Sequence, residues 1–77
     1  MSSFVFVVEK VLPSGKRTDP VTLRDSRYMS AVRRAIAKRG WKVAMLRVTR
    51  PAYPTTALHY RVRAGEAKYE GWSPVAA

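Results

Sequence analysis

The sequence contains no cysteine, so it can form neither a disulfide nor a thiolate metal site. It also has a single histidine, His59, and only five Asp and Glu residues against 15 Lys and Arg. Catalysis needs a nucleophile, a base and an orienting group within mutual reach, and few such sets can be built from this inventory. We therefore expect a protein that is not an enzyme, uses no cofactor and holds no metal.

Long hydrophobic runs are also missing. The short apolar run over residues 4–8 has no basic segment before it and is followed by Glu9 and Lys10, so we expect neither a signal peptide nor a membrane span. The four glycines are singly spaced and match no phosphate-binding loop. These features predict a cytoplasmic protein that does not bind membranes.

Acidic residues are absent from residues 26–65, where ten basic residues accumulate. The net charge is +10 on 77 residues, and like charges this dense repel one another across a compact body. One-sided charge of this kind indicates a polyanionic partner, either nucleic acid or an acidic protein surface. The alternative is an ordinary solvated surface whose charge only keeps the protein soluble.

Length and composition predict one domain over residues 1–77. A chain of this size has room for a single small core, and its hydrophobic content of 47% is too high for a disordered basic tail. We expect an ordered region over about residues 3–72 and a loose tail over residues 73–77.

Hydrophobic periodicity and turn residues predict the order β-β-α-β-β-β, an α+β fold in which one helix packs on a small antiparallel sheet. Asp25 or Ser26 is expected to cap the helix, and Gly40 to end it. Pro51 and Pro54 predict a loop before the fourth strand. The predicted strands cover residues 4–8 with a possible extension to 12, 20–24, 41–50, 58–63 and 67–72, and the helix covers residues 27–39.

Alternation in the fourth strand directs Leu58, Tyr60 and Val62 inward and turns the residues between them outward. Arginines on that outer face pair bidentately with phosphates or carboxylates, and an exposed tyrosine in the proline-flanked loop supplies an aromatic anchor. Trp41 and Tyr60 are expected to pack in the core. The predicted partner-binding residues are Arg47, Arg50, Tyr53, His59, Arg61 and Arg63.

The outer face of the predicted helix forms a second basic ridge. No acid lies four residues from these bases to balance them, which favours a binding role, but polar residues belong on a solvated helix face in any case. The ridge consists of Arg27, Arg33, Arg34 and Lys38.

The segments FVFVVEK, PVTLRDS, SAVRRAIAKRG and WKVAMLRVTRP, followed by a closing hairpin, together resemble small bacteriophage proteins that disable or redirect host machines. Two groups share this plan, regulators that bind bacterial RNA polymerase and certain anti-CRISPR proteins. The resemblance rests on element order and size, and it carries over no functional residue. It implies a non-enzymatic binder of a nucleic-acid-handling complex. We expect a regulator docked on bacterial RNA polymerase. The alternatives are direct, non-sequence-specific binding of DNA or RNA, inhibition of an RNA-guided complex, and ribosome association.

Overall fold

Five antiparallel strands and one helix make up the computed structural model, which describes residues 3–75. The strands form one sheet in the order β2-β1-β3-β4-β5. The predicted α+β fold with the order β-β-α-β-β-β is confirmed. The elements are β1 (Phe4–Val11), β2 (Arg17–Asp25), α1 (Tyr28–Arg39), β3 (Ala44–Arg50), β4 (Tyr53–Arg63) and β5 (Glu66–Pro74).

The core lies between α1 and one face of the sheet, and burial of its apolar side chains is the main force that holds the fold together. From the sheet, Phe6, Leu46 and Val62 are almost fully buried. Their neighbours in sequence point to the opposite face because side chains alternate along a strand. From α1 the buried residues are Ala31, Val32, Ala35 and Ile36.

The helix contacts both edge strands, β2 and β5, so the sheet curls around it. We call the face that carries the core the helix side and the other the open face. Within residues 3–75 no second layer covers the open face.

The two ends of α1 differ in how they are capped. Gly40 adopts the left-handed conformation (φ 70°) and its N–H donates to the Ile36 carbonyl at 2.7 Å, as predicted. The predicted caps Asp25 and Ser26 are wrong, because the N-cap residue is Arg27, which makes no side-chain cap hydrogen bond. Asp25 is instead the last residue of β2 and accepts the Ser26 N–H at 2.7 Å.

Four element boundaries differ from the prediction by two residues or more. The loop predicted before residue 58 is wrong, since β4 already begins at Tyr53, and Pro54 is tolerated near the start of the strand. The loose tail is wrong for residues 73–75, because β5 runs to Pro74 and the Val75 N–H donates to the Thr55 carbonyl at 3.1 Å. Residues 76–77 lie outside the described residues. In addition, β2 begins at residue 17 rather than 20, and β3 at 44 rather than 41.

Both edge strands are interrupted by irregular backbone. In β2 the register shifts opposite Val8 and Lys10, where Asp19 takes a φ of 52° before Pro20. In β5 the register shifts beside Glu70. Interrupted edges are poor templates for pairing with another chain, so intermolecular sheet growth is discouraged at both ends.

Candidate binding surfaces

The open face carries four of the predicted partner-binding residues. The register sets Arg47 of β3 opposite His59 of β4, and Met45 opposite Arg61. Arg63 follows on the same face because it lies two positions beyond Arg61. The structure therefore brings these four predicted side chains, Arg47, His59, Arg61 and Arg63, onto one surface.

Arg47 is held by a carboxylate of the neighbouring strand. Its Nη1 lies 3.4 Å from Oε1 of Glu9, and Nε of Arg17 lies 3.9 Å from Oε2 of the same carboxylate. The Arg47 and Glu9 side chains are only 16% and 20% exposed. Such shielding strengthens the interaction relative to a surface ion pair, so Glu9 fixes the position of Arg47 at the centre of the open face.

Polar contacts between β4 and β5 fix two further side chains. Arg61 Nε donates to Oε1 of Glu70 at 2.8 Å, and Nε2 of His59 lies 2.8 Å from the Ser73 hydroxyl. Arg63 is exposed and, within residues 3–75, has no carboxylate within 4.0 Å. Arg63 is thus the freest of the four for an incoming anion.

Half-buried apolar side chains run between these cations. Val7 pairs with Thr49 and Val11 with Met45, all on the open face. Val11 and Met45 also line a groove of about 970 Å³ at one end of the sheet, with Val43 at its edge. Uncovered apolar residues beside fixed arginines are typical of a surface that meets another protein.

Arg50 and Tyr53 are not part of this surface, contrary to the prediction. The guanidinium carbon of Arg50 lies 3.8 Å from the centroid of the Phe4 ring and 4.5 Å from that of the Tyr53 ring. The ring centroids of Phe6 and Tyr28 lie 5.9 and 6.0 Å away. Arg50 shares the strand parity of Leu46 and Val48, so its side chain belongs to the helix side. Tyr53 is exposed there as well.

The basic ridge on α1 does not act as one unit. Arg34 Nη1 donates to the Arg24 carbonyl at 2.5 Å and lies 3.3 Å from Oδ2 of Asp25, which ties Arg34 to β2. Hydrogen bonds from the Ser30 hydroxyl, and also from the Ser26 N–H and Arg34, hold the pKa of Asp25 below its usual value.

The other three ridge residues keep their charge available to solvent. They are exposed and, in the described part of the chain, none has a carboxylate within 4.0 Å. They are Arg27, Arg33 and Lys38.

Two exposed aromatics were missed by the sequence reasoning, Tyr69 and Trp72 of β5. A regular strand would point residues three apart to opposite faces. The bulge at Glu70 absorbs one residue, so Tyr69 pairs with Tyr60 and Trp72 with Leu58, both on the helix side. The sequence signal for this bulge is Gly71, which follows Glu70 and has a φ of 150°, because glycine inside a strand often marks a bulge. The predicted burial of Trp41 and Tyr60 is confirmed.

The carboxylates are unevenly divided between the two faces. Glu9 and Glu66 lie opposite Arg47 and Arg63 in the strand register, and Glu70 accepts a hydrogen bond from Arg61, so all three belong to the open face. Helix α1 contains no acidic residue. The helix side next to β5 is therefore the more uniformly positive surface.

Comparison with known proteins gives no indication of function, so a proposal about function depends on the fold and on these surfaces. No protein-family model matches the chain, and no significant similarity was found to curated proteins or to solved structures. Among residues 3–75, no cluster of three or more His, Asp or Glu side chains is placed to hold a metal ion. No helix in that range is long and apolar enough to cross a membrane.

Proposed function

We propose that this protein is a non-enzymatic regulator that docks through its open face on an acidic, partly apolar protein surface of a nucleic-acid-handling complex. Bacterial RNA polymerase is the first candidate. The observation that supports this most is the position of Arg47 and Arg61, which their own carboxylates hold in place beside half-exposed apolar residues of an uncovered sheet.

Three features of the open face favour a protein partner over nucleic acid. Glu9, Glu66 and Glu70 can meet basic side chains, which an acidic protein surface also contains, whereas a phosphate backbone offers them only like charge. Valine and methionine side chains offer apolar area but no ring on which a base can stack. Arginine and methionine are also enriched in protein interfaces.

Pre-positioned arginines would make this docking efficient. An arginine already fixed by a carboxylate loses less side-chain freedom on binding than a free one, and its remaining N–H groups stay available to an acidic partner. The net charge of +10 would accelerate the encounter with a negatively charged complex. The cytoplasm of a bacterial host is the compartment this proposal implies.

RNA polymerase is placed first because of the resemblance in element order to small phage regulators that bind it. An affinity-tagged protein, added to nuclease-treated bacterial lysates, is expected to retain polymerase subunits. Charge reversal of both open-face arginines, Arg61→Glu with Arg63→Glu, is expected to abolish that retention without unfolding the protein.

The matched control reverses two charges on the helix side, Arg33→Glu with Lys38→Glu, and is expected to retain the polymerase. Circular dichroism of both variants checks that they fold. The polymerase proposal fails if no subunit is recovered from lysates of several GC-rich hosts. The open-face assignment fails if only the control variant loses retention.

A further inference from the structure

The three large exposed aromatic side chains within residues 3–75 all lie on the helix side of the sheet. Tyr53 belongs there because the Arg50 guanidinium stacks 4.5 Å from its ring. Tyr69 lies with its ring centroid 5.5 Å from that of the buried Tyr60. Trp72 pairs with Leu58, which packs against the core. Among the described residues 3–75, the open face has no exposed aromatic of this size.

Tyr69 and Trp72 are neighbours on the same face of an edge strand. Their partners Tyr60 and Leu58 are two residues apart in β4, which sets the two aromatics about 7 Å apart along the sheet. Because β5 is the last strand of the sheet, no further strand crowds these rings from outside. Both side chains are accessible to solvent, with Tyr69 47% and Trp72 63% exposed.

Positive charge without opposing acid lies beside these two side chains. Arg34 ties one flank of α1 to β2, so the opposite flank, with Met29 and Arg33, faces β5. Arg33 is exposed, and α1 has no acidic residue. The acids of β5 are directed away: Glu70 contacts Arg61 and Glu66 pairs with Arg63, both on the open face.

We propose that the helix side between α1 and β5 binds single-stranded nucleic acid. Two bases stack on Tyr69 and Trp72, and the adjoining phosphates contact Arg33. Rows of aromatics beside basic side chains bind single strands in this way, because every base has a stacking face. A duplex keeps its bases stacked on one another and offers no such faces. This site is independent of the proposed docking surface, since it lies on the other side of the sheet.

Intrinsic fluorescence gives a direct test, because Trp72 is 63% exposed whereas Trp41 is only 7% exposed. We expect single-stranded oligonucleotides of about 16 nucleotides, long enough to cover one site, to quench the emission of Trp72. The affinity should fall with salt, with a log–log slope of about −0.7 per phosphate neutralised. Heparin, a polyanion without bases, should not reproduce the quenching.

Variants separate stacking from simple charge attraction when binding is followed by anisotropy of a labelled oligonucleotide. We expect Trp72→Ala and Tyr69→Ala each to weaken binding about tenfold, and Trp72→Phe to recover most of the loss. The open-face variant Arg61→Glu with Arg63→Glu is the control and should keep its affinity within about threefold, the change expected from general charge alone.

Two results would overturn the inference. One is binding of duplex DNA or heparin as tight as that of single strands, with no dependence on Trp72. The other is loss of oligonucleotide binding in the open-face variant but not in the aromatic variants. Polymerase retention is scored separately with the same open-face variant, so failure of one proposal leaves the other measurable.

Discussion

The guanidinium of Arg50 lies 3.8 Å from the centroid of the Phe4 ring, so the end of β3 is joined to the start of β1 by a cation–π contact. The centroid of the Tyr53 ring lies 4.5 Å from the same guanidinium. Nε of Arg50 is buried and, among residues 3–75, has no hydrogen-bond partner. Arg50 thus stabilises the fold rather than extending the arginine-rich open face.

Substitution of Arg50 tests this structural role. We expect Arg50→Ala to lower the free energy of unfolding by about 1–2 kcal/mol, because the rings of Phe4 and Tyr53 lose their contact. Arg50→Met keeps an apolar stem and removes the unpaired Nε, so we expect a change within about 1 kcal/mol. Urea denaturation measures both. Loss of partner binding in a fully stable Arg50→Met protein would instead place Arg50 in the contact surface.

Glu9 is expected to be worth more to stability than the other open-face acids. Glu9→Gln leaves the shielded Arg47 without its carboxylate, and we expect a loss of about 1–3 kcal/mol in urea unfolding. Glu66→Gln is the matched control, since within the described residues Glu66 has no cation within 4.0 Å. Its effect should stay within about 0.5 kcal/mol. Equal effects would show that the contact with Arg47 is not stabilising.

Asp25 should make the free energy of unfolding depend on pH in the acidic range. Because its pKa is lowered in the folded state, its contribution is present above the ordinary value of 3.8 and is lost as the pH falls through the lowered folded pKa. Asp25→Asn should therefore be less stable than the unmodified protein at neutral pH, and the two should converge as the pH falls below the lowered folded pKa of Asp25.

The control for Asp25 is Asp19→Asn, a change of the same chemistry in the same strand. The Asp19 carboxylate lies 3.5 Å from the Thr18 hydroxyl, and among residues 3–75 it makes no ion pair. Thermal unfolding measured across the pH range should show little difference for this variant. A constant offset between Asp25→Asn and the unmodified protein at every pH would contradict the linkage to Asp25.

Met45 and Leu46 test the two faces of the sheet with adjacent residues. Leu46→Ala removes a fully buried side chain, so we expect a loss of about 2–5 kcal/mol in unfolding free energy. Met45 is half-buried on the open face, and Met45→Ala should cost about 1 kcal/mol or less while weakening partner binding. Equal losses in stability would mean that Met45 is as buried as Leu46, and therefore that the open face is covered in solution.

Much of the fold follows from local patterns in the sequence. The alternation of Leu58, Tyr60 and Val62 with polar residues fixes the faces of β4. Gly40 fixes the end of α1. The predicted start of β4 and end of β5 are wrong, because proline is tolerated in both strands. Pro54 lies at a strand start and Pro74 on an edge strand, where no backbone N–H is needed for strand pairing.

The candidate surfaces were less predictable. Arg50 lies on the helix side by the same alternation that places Leu46 and Val48 there, so this position could be predicted from the sequence. The prediction grouped Arg50 with the open-face arginines because of its charge. Gly71 indicates that a bulge is possible near Glu70, but the bulge position that aligns Tyr69 with Trp72 is set by pairing between β4 and β5.

The strand order β2-β1-β3-β4-β5 also decides how the chain assembles during synthesis. β1 leaves the ribosome before the other four strands, yet it is an internal strand whose second partner, β3, ends only at Arg50. A nascent chain with β1, β2 and α1 complete therefore presents the inner edge of β1 unpaired until β3 emerges. That unpaired edge is open to pairing with other chains for as long as β3 has not emerged, which favours aggregation of the incomplete chain.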